Sequence, residues 1–396
     1  MKMEKKMKKV LILGGGFAGV EAAIYIKKME NLDVTLISDR DYFYIYPTSI
    51  WIPTGGTTRE KISIPLAKLG LNHGFEVFVD AVKDINAKEK KVTLESGRIL
   101  DKYDYIVIAM GQDKIKLKGI ENTLSICGKP EEAVELKERL DKLIEKGLGT
   151  IAMGFGGNPK DTSAVRGGPA FEVIFNVHNL LNKKGLRDKF KLIFFAPMAK
   201  PGQKMGEKSL EMMEKMFSKT DISKKVGSKI VSFESDGINF EDGDKIKSDL
   251  TMFISAGKGH SILEASDLPL SDAGFVVTNE YNEVEGFDGI YAIGDSASLM
   301  GPEWRAKQGH VAEIMARNIA YNIFQHTQKI NSKRSYLEHI NILCVMDTGD
   351  GAGFVYRDNN GGKMIPMPFV GHWMKKGWGW YCKQSKLGNI PRIPGM

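Results

Sequence analysis

The sequence has 396 residues, 42% of them hydrophobic and 27% charged, the balance of a soluble globular chain of two or three domains rather than a disordered one. Its formal charge is +7 and its pI about 8.9, but the lysines are spread along the chain and no helix-turn-helix, RNP or zinc-finger pattern accompanies them, which excludes nucleic acid as an expected partner. Cys127, Cys344 and Cys382 lie far apart with no C-x-x-C, which excludes a disulfide framework and suggests no metal site, and no apolar run reaches the ~18 residues of a membrane-spanning helix.

The basic start is followed by an apolar run, but glycines and Glu21 interrupt it and no small-residue cleavage site follows, so it reads as a first strand and not a signal peptide. Lys9 to Leu13 is that strand, Gly14 to Gly19 a turn, Val20 to Met29 a helix and Asp33 to Ile37 a second strand. This is a βαβ unit. An aromatic segment "DYFYIYPTSIWIPTGG" comes next, then strands at Phe75–Val79 and Lys91–Leu94 and the apolar "YDYIVIAMG". The charged helix "KPEEAVELKERLDKLIEKG" has Pro130 in its first turn and Gly147 at its end, as helix ends prefer.

A second strand, loop, helix and strand unit runs from Thr150 through "EVIFNVHNLLNKKG" to "KLIFFAP". Strands at Ile230–Phe233, Leu250–Ser255 and Phe275–Val277 lead to "FDGIYAIGDSASL" and the helix "QGHVAEIMARNIAYNIFQH". The last sixty or so residues hold Gly- and aromatic-rich strands and a cationic aromatic tail.

Gly14, Gly16 and Gly19 form a G-x-G-x-x-G between strand and helix. The first glycine permits the tight turn, the second lets backbone approach a pyrophosphate, the third lets helix pack on strand, Phe17 and Ala18 belong to this cofactor-binding turn, and the N-terminus of the helix that follows faces the phosphates. At the end of the second strand stands Ser38-Asp39-Arg40, with Asp39 one position displaced from the usual ribose-binding acid. Gly294-Asp295 follow another buried strand, ahead of a helix starting near Lys307. An Asp there binds ribityl and phosphate oxygens, and the helix's positive end stabilises a reduced flavin. With Ala109 and Gly111 closing "YDYIVIAMG", the three motifs fall in the order of one fold, and FAD is the expected cofactor.

In "IAMGFGGNPKDTSAVRGGPAFEV" the glycines after the strand are separated from "GGPAFEV" by an insertion, and the next strand ends in Phe195-Ala196-Pro197 without a carboxylate. A second dinucleotide loop is therefore not expected there.

Taken in order, "DYFYIYPTSIWIPTG", "LSICGKPEEA", "GGPAFEV", "ILCVMDTGDGAGF" and "MPFVGHWMKKGWGWY" resemble segments of the sulfide:quinone oxidoreductase and flavocytochrome c sulfide dehydrogenase group of the pyridine nucleotide-disulfide oxidoreductase superfamily. The resemblance implies an α/β fold of two Rossmann-like FAD/NAD(P)-binding-type domains, the first interrupted by the second. The expected division is residues 8–115 with 285–330 for FAD, 116–284 for the second domain, and 331–396 for a quinone- and membrane-contacting region with an amphipathic tail.

The resemblance also implies roles. Cys344 is the cysteine near the flavin ring, and Cys127 the family's first cysteine; its place just before a helix N-terminus favours thiolate. Glu172 handles protons near sulfide, Lys307 favours the anionic reduced ring, and Pro47 packs against the isoalloxazine. Quinone is expected near Phe369 and Trp373. The family's middle cysteine is missing: Arg166-Gly167 stand there. Either Cys127 and Cys344 pair, or one carries a persulfide passed to an external acceptor, or the electron donor is not sulfide.

In the tail, Trp373, Trp378, Trp380 and Tyr381 interleave with Lys375, Lys376, Lys383 and Lys386, as in an interfacial helix with rings at headgroups and ammonium groups at phosphates. The competing reading docks the tail on the protein's own core or at a homo-oligomer interface, and Gly377 and Gly379 weigh against a helix. The expected activity is oxidation of sulfide, or a related small reduced sulfur species, with membrane quinone as acceptor and a monotopic membrane association. The rival readings are a type II NADH:quinone dehydrogenase-like enzyme and a non-catalytic electron-transfer flavoprotein subunit.

Overall fold

The computed structural model of the chain describes residues 7–393. Its first sheet is built from β1 (Lys8–Leu13), β2 (Leu32–Ser38), β3 (Glu76–Val79), β4 (Tyr105–Ile108) and a late strand, Ile290–Ala292, ordered so that β4 lies between β1 and the late strand and β2 between β1 and β3. All four pairings are parallel. Helix α1 (Phe17–Lys27) crosses from β1 to β2, and a second helix, Pro130–Lys146 (α2), ends at Gly147 with φ +82° as the C-terminal glycine predicts.

The second sheet holds β5 (Gly149–Phe155), β6 (Phe190–Ala196), β7 (Ser223–Val226) and β8 (Leu250–Ile254) in the order β7-β6-β5-β8, again all parallel. Helix α3 (Gly168–Lys183) connects β5 to β6. The late strand of the first sheet is β9 (Ile290–Ala292), followed by α4 (Gly309–Thr327). The chain leaves and re-enters the first sheet through segments that run side by side, Asp113 and Lys114 pairing with Lys258 and Gly257.

Alternation along the strands sets the two faces of each sheet. Val10 and Ile12 pack under α1 and α4 with Val20, Ile24, Ile319 and Ile323. Leu11, Leu13, Ile106 and Ile108 face the other way, onto Leu263, Leu268, Val276 and Val284. We therefore propose that the second domain ends near Gly257, since Leu263, Leu268, Val276 and Val284 share the core of the first sheet.

Two expectations about elements change. Helix α1 begins at Phe17, not Val20, because the turn itself provides its first residues. The strand expected at Phe275–Val277 is no strand: Val276 makes only isolated bridges, to Leu270 and Ala297. The tail is helical over Val370–Lys386, through both of the glycines that weigh against a helix.

The C-terminal region is a three-stranded antiparallel sheet, β10 (Ile342–Asp347), β11 (Gly351–Asp358) and β12 (Gly361–Pro368), followed by α5 (Val370–Lys386). Helix α5 runs through Gly377 and Gly379. A Cβ at Gly379 would come within 2.7 Å of Thr48 Cγ2, and one at Gly371 within 2.5 Å of Ala352 Cβ. These two glycines are the contact surface by which the helix lies against the Tyr46–Trp51 turn and β11, and that close packing offsets their ~1 kcal/mol helix cost.

Candidate active site

The carboxyl ends of the first sheet's strands line up. Gly14 N donates to Ile37 O (2.8 Å), Ala109 N to Leu13 O (2.8 Å) and Ile293 N to Ile108 O (3.0 Å), so three turns meet at one crevice, the usual ligand place in an open parallel sheet. Gly14 has φ +117°, and a Cβ on it would lie 2.2 Å from Ala109 O; one on Gly19 would lie 1.8 Å from Gly14 O. Around Gly16 and Gly111 nothing stands within 4 Å of a built Cβ. The outer glycines are thus required by packing and Gly16 by open space, the division of labour a pyrophosphate-binding turn needs. Phe17 packs its ring on Phe43 at 5.0 Å, and a Cβ at Gly294 would meet Ala18 Cβ at 2.8 Å, so the glycine beside Asp295 lies directly against α1.

At the end of β2, Ser38 is buried and its hydroxyl donates to Arg40 O (2.7 Å), closing the turn, while Asp39 points out as an exposed carboxylate. Arg40 Nη1 donates to Tyr46 Oη at 3.2 Å, and its Nε is buried without a partner. An open glycine face, an exposed acid and an unsatisfied buried guanidinium nitrogen fit the pyrophosphate and ribose of FAD. Pro47 sits half-buried in the adjoining turn.

The inserted loop of residues 156–167 starts on its own sheet, Gly156 N donating to Ile254 O (2.9 Å), and runs on toward α4. Asn158 Nδ2 donates to Gly257 O (2.8 Å), Asp161 caps Ser163 N (2.8 Å), and Ser163 O accepts from Lys307 N (2.9 Å). Arg166 then forms an ion pair with Asp295. Lys307 is buried, its ammonium donating to the carbonyls of Asp295 and Ala297. Burial lowers it to about 7, with Asp161 opposing and Arg166 adding to the shift. The loop thus joins the second unit to the end of β9.

Cys127 and Cys344 are free, half-buried thiols. Burial raises Cys127, against the pull of Lys114 and Arg166. Cys127 lies three residues before Pro130, where α2 starts. Burial pushes Cys344 up to about 12, with Glu172 adding to it. Lys114, which sequence reading missed, is lowered to about 8 by burial and by Arg166.

Glu172 is buried in the first turns of α3 and forms an ion pair with Lys375 of α5. Burial raises its carboxyl above the ordinary range despite Lys375. Its Oε2 also accepts from Asp347 N (2.9 Å). Lys375 was expected at lipid headgroups; it is instead the buried partner of Glu172. Lys386 departs in the same way: it is 1% exposed and paired with Glu21 and Glu313. Phe369, Val370, Trp373 and Trp380 do lie open on the surface, and no described helix is long and apolar enough to cross a membrane. Lys375, His372, Asp347 and Trp51 carry no sequence signal, since only the docking of α5 brings them together.

The chain belongs to the pyridine nucleotide-disulphide oxidoreductase family, which matches residues 8–317; it is an oxidoreductase flavoprotein, and its cofactor is FAD. Within that family it is similar to the sulfide-quinone reductase of Aquifex aeolicus, at 28% identity over 374 residues, covering 89% of this chain and 84% of that one. It is also similar to the type II NADH:quinone oxidoreductase of Staphylococcus saprophyticus, at 25% identity, covering 93% and 95%. The X-ray structure of the sulfide:quinone oxidoreductase from Aquifex aeolicus matches with a TM-score of 0.87 at 25% identity over 98% of this chain and 93% of that one. NDH2 from Plasmodium falciparum in complex with NADH matches with a TM-score of 0.75 at 14% identity over 98% and 100%, a likeness of fold.

Proposed function

We propose that the protein oxidises sulfide, or a related small reduced sulfur species, and passes the electrons to a membrane quinone. The observation that carries this reading is the fate of the 156–167 loop. It docks onto Gly257 and the approach to α4 rather than forming a compact phosphate turn over β5, and this favours a donor other than NADH. Bound FAD supplies a two-electron carrier.

On the donor side, sulfur meets Cys344, whose resting state is the thiol, and Glu172 is near enough for their charges to interact. A carboxyl raised by burial is a suitable proton acceptor for a thiol or for HS⁻ chemistry. On the acceptor side, the open Phe369 and Trp373 at the start of α5 form the quinone entrance, and the exposed aromatic and apolar residues around them rest at the membrane interface.

Anoxic rapid mixing of the FAD-loaded protein with sulfide, and separately with NADH, tests the reading. Bleaching of the flavin by sulfide and not by NADH is expected. A flavin that stays oxidised with sulfide sinks it; bleaching by NADH supports the second reading, a type II NADH:quinone dehydrogenase-like enzyme, favoured by Arg166 in the cysteine's place.

A further inference from the structure

Quinone reduction consumes protons, and a titratable side chain stands at the quinone entrance. His372 lies in the first turn of α5, next to the exposed Trp373. Its side chain is only 16% exposed, held between Trp51 (ring centroids 5.8 Å, 71°) and Trp373 (6.0 Å, 77°). Nδ1 is 2.6 Å from Oδ2 of Asp347, a residue with no exposed side-chain surface.

Asp347 is itself fixed. Its Oδ1 accepts from Trp51 Nε1 (3.1 Å), Asn176 Nδ2 (3.1 Å) and Gly349 N (2.9 Å), which leaves Oδ2 for the imidazole. A carboxylate on one ring nitrogen settles which nitrogen keeps its proton and orients the ring, so that the other exchanges protons. Here Nδ1 keeps its hydrogen and Nε2 is the exchanging atom. On the inner side, the backbone N–H of the same Asp347 donates to Glu172.

We propose that His372 is the proton donor for quinone reduction and that Asp347 positions it. This rests on the quinone reading above. A quinone becomes a hydroquinone by gaining a hydride equivalent and one proton. The proton leaves Nε2 of the imidazolium, forming an O–H bond on the quinone, and the neutral imidazole regains it from water at the edge of α5. The charged group facing the ring is Asp347 of β10, and Lys376 of α5 lies over the flanking Trp373 ring at 5.2 Å. The Tyr46–Trp51 turn contributes Trp51, with Lys376 Nζ 5.9 Å from its ring.

The test uses FAD-loaded protein reduced with dithionite, then mixed with a short-chain quinone from acid to alkaline pH. His372→Gln preserves a hydrogen-bond donor toward Asp347 but does not titrate. Its quinone-dependent reoxidation is expected to fall by about 10²-fold or more and to lose the His-dependent limb of the pH profile, at unchanged flavin content and melting temperature. Added imidazole should restore part of the rate to His372→Ala. Asp347→Asn should weaken the pH limb without removing it. An unchanged rate and pH profile in His372→Gln overturns the proposal. If the wild-type protein is not reoxidised by quinone at all, the quinone reading itself fails, and that result is distinct because it precedes any variant.

Discussion

Arg166 and Asp295 form an ion pair across the crevice, joining the inserted loop before α3 to the acid that follows β9. With Gly167, the arginine stands where the family resemblance expects a redox cysteine, and its charge is balanced by the Asp295 carboxylate. Its Nε remains buried without a partner.

Replacing that arginine by the missing sulfur tests what the substitution does. Arg166→Cys should accelerate sulfide-dependent bleaching by about tenfold or more, a barrier change of ~1.4 kcal/mol, whereas Arg166→Ala should not. Stopped-flow spectra of the two variants decide it; equal rates would mean that the position has no part in sulfur chemistry.

The glycine turn makes a sharper distinction. Gly16→Ala has nothing within 4 Å of its new methyl group, so the protein should fold normally yet lose FAD, because the methyl takes the space of the pyrophosphate. Gly19→Ala puts a Cβ 1.8 Å from Gly14 O and should lower stability as well. FAD stoichiometry and thermal unfolding measured together separate the cases. A fully flavinated Gly16→Ala protein would contradict the assignment.

Lys386 ties the end of α5 to Glu21 of α1 and Glu313 of α4, with Arg317 3.2 Å and Arg392 3.7 Å from Glu21. Removing one partner of a buried pair typically costs ~3–5 kcal/mol, so Lys386→Met should show a loss of that order in denaturant unfolding. Burial alone would raise the Glu21 carboxyl, but Lys386, Arg392 and Arg317 outweigh it and hold it below its ordinary value. Its contribution is thus fully present above the ordinary carboxylate value and disappears as the pH falls through the depressed one. Glu21→Gln should flatten the acid limb of the stability profile; an unaltered limb would remove Glu21 from its cause.

Burial holds Cys344 and Cys382 at about 12. Both are thiols at neutral pH, so alkylation by iodoacetamide should be slow in the native protein and rapid in denaturant. Peptide mapping of labelled cysteines checks this. Native labelling of Cys344 at the rate of a free cysteine would show a thiolate that the structure does not support.

Much of the first unit was legible because its signals are local. Gly14, Gly16 and Gly19 announce a turn whose constraints lie within a few residues, and Pro130 and Gly147 mark the ends of α2 by rules of helix termini. The segment Phe275–Val277 misled because Val276 serves the outer face of the first sheet, Phe275 packs with Ala164 and Ala273, and Val277 is exposed, without the three pairing as a strand. Apolar alternation reports burial, not the ladder that accompanies it.

The tail shows the same limit more strongly. From sequence, Lys375 and Lys386 look like Lys376 and Lys383, and Gly377 and Gly379 look like helix breakers. By itself the sequence determined the βαβ start and the FAD signature, because each is written in contiguous residues. Only the tertiary structure decided that Lys375 belongs to Glu172, Lys386 to Glu21 and Glu313, and His372 to Asp347. A charge in a solvated row and a charge in a buried pair have the same local sequence, and what separates them is a partner up to hundreds of residues away, brought in by the close approach that Gly371 and Gly379 allow.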